Sequence, residues 1–222
     1  MFDNIAPYYD FLNRLLSLRM DVLWRKKAIA TIKNRKAKKI LDVATGTADM
    51  TLEIYRQLRP SKITGMDLSQ EMLEIGKGKI VKRGLQDVIG LEQGDSENLH
   101  YTDGSFEVVT VAFGVRNFEN LRTGLSEIYR VLQDKGQIVV LEFSRPTIFP
   151  FKQLFNIYFK YVLPLIGKVT SKDPKAYAYL YESVQAFPDG EDFLKVLNEI
   201  GFNSNKCKKL SLGICSIYSG FK

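Results

Sequence analysis

From residue 39 onward, short apolar segments alternate with segments of helical periodicity, and this alternation is what most constrains the fold. The predicted strands are nearly continuous apolar runs, as in Phe106–Ala112 (FEVVTVA) and Gly136–Glu142 (GQIVVLE). Strands of this kind are buried on both faces, which is typical of a parallel sheet covered by helices. The sequence therefore predicts an α/β fold with a mostly parallel sheet.

The same patterns give approximate boundaries for each element. The predicted strands are Lys39–Ala44, Lys62–Met66, Gly90–Gln93, Phe106–Ala112, Gly136–Glu142 and a terminal antiparallel pair, Lys206–Leu212 and Cys215–Phe221. The predicted helices are an N-terminal segment before residue 40, Asp49–Leu58, Ser69–Lys82, Asn120–Leu132, the aromatic-rich segment Phe149–Lys168, and Asp189–Ile200, closed by Gly201.

Composition excludes several classes of protein. The chain has 222 residues, of which 45% are hydrophobic and 26% charged, as expected for one globular domain rather than a disordered, collagen-like or coiled-coil chain. The single histidine, His100, and two cysteines outside any CxxC pair argue against a metal site and against a His-based triad. The cysteines, Cys207 and Cys215, fit reduced thiols of a cytosolic protein. Neither a secretory signal nor an apolar run long enough to span a membrane is expected.

Positive charge is concentrated near the N-terminus, and the net charge of the chain is +7. Between Arg19 and Lys39 the only acid is Asp21, against the basic residues Arg19, Arg25, Lys26, Lys27, Lys33, Arg35, Lys36, Lys38 and Lys39. This run predicts either a solvated helix face or a patch that attracts anionic lipid or nucleic acid.

The loop after the first predicted strand is the first candidate site, because ligands of open α/β sheets bind beyond the carboxyl ends of the strands. It reads DVATGTAD from Asp42 to Asp49. A nicotinamide fingerprint would need three glycines against a pyrophosphate, whereas only Gly46 is present and the two acids would repel that group. A cationic cofactor such as S-adenosylmethionine fits better, with Asp42 attracting its methionine portion. The alternative is a tight turn in which Asp49 caps the helix.

Acidic residues also follow the next two predicted strands. Asp67 lies at the tip of the second strand, where an acid accepts hydrogen bonds from the ribose hydroxyls of an adenosine. Asp95 and Ser96 follow the third strand, where an acid can accept from the adenine amino group. Asp67 or Ser69 could also cap the next helix, and the two roles are compatible. The order of these acids at the strand ends predicts an adenosine cofactor.

At this point the sequence resembles a known family. DVATGTAD, GMDLS, QGDSEN and DKGQIVVLEFS look like the successive motifs of class I S-adenosylmethionine-dependent methyltransferases, and FGVRN and LEFSRP narrow the resemblance to the ubiquinone/menaquinone biosynthesis C-methyltransferases. FDNIAPYYDFLN and YAYLYESVQAFP match the two ends of that family, so the resemblance covers essentially the whole chain. It implies a Rossmann-like sheet of seven strands, mostly parallel, with helices on both faces and an antiparallel last strand.

The resemblance implies one methyltransferase domain over residues 1–222. Residues 1–38 would form a helical substrate or lid segment, 39–146 the cofactor-binding core, 147–190 a helical insertion or lid, and 191–222 a C-terminal helix and strands.

The resemblance also implies a reaction, the C-methylation of demethylmenaquinol to menaquinol in quinone biosynthesis. The implied S-adenosylmethionine contacts are Gly46, Thr47, Asp67, Asp95 and Ser96, and the candidate catalytic residues are Arg116, Asn117 and Tyr9. Arg116 and Asn117 would stabilise negative charge on a quinol oxygen, since arginine keeps its charge and asparagine can orient a hydroxyl. Simpler alternatives are a surface arginine, a helix-capping asparagine, a packing role for Tyr9 and a surface loop position for His100.

The implied isoprenoid substrate makes an apolar channel reasonable along the aromatic segment from Phe149 to Tyr161. With the basic run, it predicts a cytoplasmic protein that binds the anionic inner face of the cell membrane peripherally. The sequence leaves the oligomeric state open, with a homodimer as one alternative, and no nucleic acid partner is expected.

Four other functions stay open at this stage. The basic run would suit a methyltransferase acting on RNA, although no NPPY-type motif is present, and a benzoquinol could replace the naphthoquinol. A nicotinamide oxidoreductase is disfavoured by the glycine-poor loop, and a noncatalytic adenosine-binding protein is disfavoured by the FGVRN stretch.

Overall fold

The computed structural model describes residues 14, 17, 19–157 and 175–222, which form one seven-stranded sheet with flanking helices. The strands are β1 (Lys39–Val43), β2 (Lys62–Asp67), β3 (Ile89–Gln93), β4 (Phe106–Ala112), β5 (Leu132–Phe143), β6 (Asn203–Leu210) and β7 (Cys215–Phe221). The helices are α1 (Met20–Ile29), α2 (Asp49–Leu58), α3 (Gln70–Val81), α4 (Leu121–Val131), α5 (Phe151–Ile157), α6 (Lys175–Ala186) and α7 (Glu191–Ile200), and a short 3-10 turn covers Val115–Asn117.

The sheet has the order β3-β2-β1-β4-β5-β7-β6. All neighbours pair in parallel except β7, which runs antiparallel to both β5 and β6. The chain steps outward from β1 to β3 and then returns to the other side of β1 as β4, so the strand order reverses between β1 and β4. Ligands of open α/β sheets bind at such a reversal. The predicted fold, with its antiparallel last strand, is confirmed.

Two apolar layers sandwich the sheet because successive strand residues point to opposite faces. Ile40 packs in a cluster with residues of α1, α2 and α3, and Leu41 packs in a second cluster with residues of α4 and α7. Both side chains are fully buried. Helices therefore cover both faces, as predicted.

Capping residues determine where several helices begin and end. The Ser69 hydroxyl accepts a hydrogen bond from the Met72 amide and starts α3, and the Asn120 side chain accepts from two amides of the first turn of α4. Gly201 ends α7 with φ 117°, the left-handed conformation that favours glycine.

Several predicted boundaries were wrong. Strand β5 begins at Leu132, which was assigned to the preceding helix, because Leu132 pairs with Phe106 before a register shift. Strand β6 begins at Asn203 and ends at Leu210. Of the predicted helix Phe149–Lys168, the structure describes α5, and the residues from 158 onward lie outside the described ranges. Within the described residues, no helix is both long enough and apolar enough to cross a bilayer.

Candidate active site

The loop between β1 and α2 is bent so that its backbone approaches the tip of β2. Ala44, Gly46 and Ala48 all have left-handed φ values, of 54°, 56° and 65°, a conformation that only glycine adopts without steric cost. Ala48, and not Asp49, is the residue before the first turn of α2, and it makes no side-chain cap. The alternative in which Asp49 caps this helix is therefore wrong.

Asp67 connects the loop after β1 to the loop after β2 by hydrogen bonds. Its carboxylate accepts a hydrogen bond from the Gly46 amide at 2.7 Å and another from the Ser69 amide at 2.9 Å. The loop is tied a second time by the Thr45 amide, which donates to the Met66 carbonyl at 2.9 Å. The carboxylate is thus held in a fixed orientation at the carboxyl end of β2.

A glycine lets the loop after β4 close against the loop after β1. A Cβ atom added to Gly114 would lie 2.4 Å from the Cβ of Ala44, which is far inside van der Waals contact. Only a residue without a side chain allows this approach, and it brings the Val115–Asn117 turn beside the loop after β1.

These loops enclose a cavity of about 270 Å³ at the carboxyl ends of β1, β2 and β4. Its lining combines apolar side chains and loop backbone with four acidic residues, and among the described residues it contains no lysine or arginine. The lining residues are Val43, Ala44, Gly46, Met66, Asp67, Leu68, Met72, Gly94, Asp95, Ser96, Glu97, Ala112, Phe113, Gly114, Asn117, Phe118 and Glu119. An acidic cavity repels a pyrophosphate and suits a cofactor that carries a sulfonium and an ammonium group and no phosphate. The residues present therefore fit S-adenosylmethionine.

The structure brings most of the predicted cofactor residues into this cavity. Gly46, Asp67, Asp95 and Ser96 line it. Thr47 is buried and lies outside the lining, where its hydroxyl accepts a hydrogen bond from the Lys79 ammonium at 2.9 Å.

Asp42 does not face the cavity, contrary to the interpretation that it attracts the cofactor. It is fully buried, and its carboxylate accepts hydrogen bonds from three threonine hydroxyls, those of Thr45 at 2.7 Å, Thr51 at 2.9 Å and Thr110 at 2.5 Å. Burial raises the pKa of Asp42, against the effect of these hydrogen bonds. Asp42 therefore holds the base of the loop together.

Asp49 supports the loop from its other end through three basic side chains. Its carboxylate lies 2.6 Å from the Lys79 ammonium, 3.7 Å from the Arg14 guanidinium and 3.9 Å from that of Arg25. Burial opposes ionisation of this carboxyl, but the Lys79 and Arg25 charges outweigh it and hold the pKa of Asp49 below its ordinary value.

The Asp49 ion pairs should make the fold sensitive to acid. Because the pKa of Asp49 is lower in the folded state than in the unfolded state, its ionised carboxylate stabilises the fold at pH values above the unfolded pKa, near 4. This stabilisation is lost as the pH falls through the lower pKa of the folded state. Asp49→Asn should lower the free energy of unfolding by about 1.5–3 kcal/mol at pH 7. The difference in this free energy between the variant and the wild type should shrink below pH 4. Urea unfolding of both proteins from pH 7 to pH 3 measures this, and a difference that stays constant with pH would contradict it.

Arg116 forms a buried ion pair and is not a surface residue. Its Nη1 lies 2.8 Å from Glu142 Oε1, and the two side chains are 7% and 0% exposed. Arg116 also donates to the Phe113 carbonyl, and its guanidinium lies over the Phe143 ring at 5.6 Å from the centroid. Arg116 is not among the residues that line the cavity, but it immediately precedes Asn117, which is.

The Glu142 carboxylate fixes both the side chain and the backbone of this turn. It accepts from the Arg116 amide at 3.3 Å and from the Phe143 amide at 2.8 Å. Burial raises the pKa of Glu142, while the Arg116 charge acts in the opposite direction. Sequence reasoning missed this residue, although it lies within the LEFSRP stretch on which the family resemblance rests.

Of the other two candidate catalytic residues, the structure describes the position of one. Asn117 lines the cavity and does not cap a helix, since Asn120 caps α4. Tyr9 lies outside the described residues.

The one histidine of the sequence lies outside the cavity. His100 is exposed, as a surface loop histidine would be, with Nε2 3.5 Å from Glu92 Oε1. In the part of the chain that the structure describes, no group of three His, Cys, Asp or Glu side chains could hold a metal ion.

Comparison with known proteins decides the family. All 222 residues match the sequence model of the ubiE/COQ5 methyltransferase family. The chain belongs to this family. It is 46% identical over 222 residues to a demethylmenaquinone methyltransferase of Bacteroides fragilis, covering 100% of this chain and 91% of the relative. It is 44% identical over 223 residues to a ubiquinone/menaquinone biosynthesis C-methyltransferase UbiE of Geotalea daltonii, covering 100% of this chain and 94% of the relative.

A solved structure confirms the fold independently of close sequence similarity. The S-adenosylmethionine-dependent methyltransferase of Aquifex aeolicus superimposes with a TM-score of 0.67 at 14% identity, over 96% of this chain and 97% of the other. The predicted enzyme class, a methyltransferase of quinone biosynthesis in the ubiE/COQ5 family, and the predicted cofactor, S-adenosylmethionine, are both confirmed.

Proposed function

We propose that this ubiE/COQ5 family member methylates a ring carbon of demethylmenaquinol and forms menaquinol. The observation that carries the proposal is the acidic cavity at the strand reversal, with Asn117 of the FGVRN stretch in its wall. The 46% identity to a protein named demethylmenaquinone methyltransferase favours a naphthoquinol over a benzoquinol.

The lining of the cavity supports the following proposed cofactor contacts. Asp67 accepts from the ribose hydroxyls, and Asp95 and Ser96 bind the adenine end. Gly46 allows the backbone to approach the cofactor, and Thr47 supports the same loop through Lys79. When bound, S-adenosylmethionine supplies an already activated methyl group.

The protein's own contribution is to position the quinol and to stabilise its negative charge. Aligning the ring carbon with the methyl group can lower the barrier by about 7–11 kcal/mol. Asn117 donates a hydrogen bond to the quinol oxygen beside the reacting carbon. The positive charge of Arg116, the preceding residue, also stabilises the negative charge on this oxygen. A single donor in such a site contributes about 3–4 kcal/mol. The bond between the cofactor sulfur and the methyl group would break as the ring carbon gains the methyl group, leaving a neutral thioether. The proton that the ring carbon loses would pass to water, directly or through Tyr9, which is kept as the third candidate catalytic residue.

The roles of the segments complete this proposal. Residues 39–146 bind the cofactor, residues 1–38 and 147–190 cover the quinol, and residues 191–222 complete the sheet within one domain.

A methyl-transfer assay tests the proposal against its alternatives. The protein is incubated with labelled S-adenosylmethionine and, in parallel under reducing conditions, with a short-chain demethylmenaquinol, a benzoquinol analogue or tRNA, and each product is analysed by mass. The proposal predicts a ring-methylated naphthoquinone as the preferred product. A preference for the benzoquinol or for tRNA would contradict the proposed substrate and leave the assignment as a methyltransferase unchanged.

We also propose peripheral binding to an anionic membrane surface. Lys26, Lys27, Lys36 and Lys38 are exposed, whereas Arg25 of the same run is buried in an ion pair with Asp21. Exposed apolar side chains follow β5, where Phe149 is 77% and Ile148 61% exposed. Basic and apolar groups together are what binding to an anionic lipid surface requires.

Charge removal tests the membrane proposal. Each lysine near an anionic surface contributes about 1 kcal/mol, so changing Lys26, Lys27, Lys36 and Lys38 together to glutamine should weaken vesicle binding at physiological salt by at least about tenfold. Four exposed lysines elsewhere in the chain, Lys82, Lys195, Lys206 and Lys208, provide a control of equal charge. Co-sedimentation with phosphatidylglycerol vesicles measures binding, and an equal loss in both variants would show an effect of net charge alone.

A further inference from the structure

Helix α6 contacts the turn that carries Arg116 and Asn117. Two polar side chains of this helix, Tyr179 and Ser183, are four residues apart, so they lie on the same face one turn from each other. Each one hydrogen-bonds a different candidate catalytic residue. The sequence separations, 62 and 67 residues, show that these are contacts of the tertiary fold.

The first contact fixes the orientation of an amide. The Tyr179 hydroxyl donates a hydrogen bond to Asn117 Oδ1 at 3.0 Å. With its oxygen turned toward the tyrosine, the Asn117 amide presents its nitrogen, which carries two donor hydrogens, in another direction. A rotated amide would offer an acceptor in place of these donors, and an acceptor repels a quinol oxygen that carries negative charge.

The second contact holds a guanidinium. Arg116 Nε donates to Ser183 Oγ at 3.3 Å, while the Ser183 hydroxyl donates to the Leu180 carbonyl at 3.1 Å. At its other end the same guanidinium is paired with Glu142 at 2.8 Å. Arg116 is thus held between β5 and α6, and both Arg116 and Ser183 are almost excluded from water.

We propose that Tyr179 and Ser183 are positioning residues for methyl transfer, which orient Asn117 and Arg116 from the face of α6. This inference rests on the proposed function, because it assigns these two side chains to the chemistry of the same turn. Its physical basis is that a misplacement of about 1 Å in a catalytic group can reduce turnover about a hundredfold.

Substitutions that remove only a hydroxyl test the proposal. Tyr179→Phe and Ser183→Ala should each lower kcat at least about tenfold, with little change in the KM for the quinol or in the affinity for S-adenosylmethionine. Ser183→Thr keeps a hydroxyl and should restore most of the lost kcat. The matched control is Tyr181→Phe, because Tyr181 lies on the same helix and packs beside Phe155 and Val184, and this variant should turn over like the wild type.

A second measurement does not depend on the substrate. The amides of Asn117 and Phe118 close the turn through bonds to the Gly114 and Val115 carbonyls. Hydrogen–deuterium exchange of the peptide that covers 113–118 should be faster in Tyr179→Phe than in the wild type or in Tyr181→Phe.

The outcomes separate the two proposals. If the wild type does not methylate demethylmenaquinol, the proposed function fails, and the exchange measurement alone decides whether α6 orders the turn. If Tyr179→Phe and Ser183→Ala keep wild-type kcat and wild-type exchange, the positioning role is wrong. If Tyr181→Phe loses kcat and gains exchange to the same extent, the effect belongs to the helix as a whole and the assignment to these two hydroxyls is overturned.

Discussion

Replacing Asp67 by alanine should weaken S-adenosylmethionine binding by about a hundredfold or more. The carboxylate is proposed to accept two ribose hydroxyl bonds, and a hydrogen bond to a charged group contributes about 1.5–3 kcal/mol, while each 1.4 kcal/mol corresponds to about tenfold in affinity. The same carboxylate holds the Gly46 amide at 2.7 Å, so its loss also releases the loop. Isothermal calorimetry measures the affinity.

A control of equal charge distinguishes this effect from general electrostatics. Asp87 is an exposed acid in the turn between α3 and β3 and does not line the cavity. Asp87→Ala should leave the affinity near that of the wild type. An unchanged affinity in Asp67→Ala would remove Asp67 from the cofactor site.

Breaking the Arg116–Glu142 pair should have a comparably large effect, on stability as well as on turnover. Both side chains are buried, and removing one partner of a buried pair typically costs about 3–5 kcal/mol because the other charge is left uncompensated. Glu142→Gln should therefore lower the free energy of unfolding by about that amount, and Arg116→Met should abolish most turnover. Urea unfolding and the methyl-transfer assay measure the two effects.

The double variant separates catalysis from stability. Removing both charges leaves no buried charge without a partner, so Arg116→Met combined with Glu142→Gln should recover much of the stability that either single variant loses. Turnover should stay low, because the positive charge beside Asn117 is missing. Recovery of turnover together with stability would show that Arg116 serves the fold alone.

The elements that sequence patterns predict well are those whose own residues determine them. Strand β4 begins at Phe106 and ends at Ala112 as predicted, because the apolar, β-branched run has only one buried arrangement. Strand β5 starts four residues earlier than predicted, since Leu132–Lys135 carries polar residues and pairs with β4 through a register shift. That pairing depends on the neighbouring strand, which local periodicity does not contain.

The residues of the candidate site also differ in whether local sequence or distant contacts determine their positions. The position of Asp67 in the cavity wall was predictable because Asp67 ends a recognisable strand, and parallel strands end at the same edge of a sheet. Asp42 lies one residue before the end of β1, yet its side chain is fully buried and accepts hydrogen bonds from Thr45, Thr51 and Thr110, the last of which is 68 residues away. The contacts of Tyr179 and Ser183 with the Val115–Asn117 turn join residues that are similarly distant in sequence, so they became visible only with the tertiary fold.

The most direct test of the central claim is a crystal structure of the protein with bound S-adenosylmethionine. The ribose hydroxyls should lie within hydrogen-bond distance of the Asp67 carboxylate, with the adenine beside Asp95 and the methyl group on the side of Asn117. A cofactor bound away from the cavity at the ends of β1, β2 and β4, for instance in the arginine-lined groove of about 690 Å³ that includes Arg14, Arg59 and Arg83, would contradict the account.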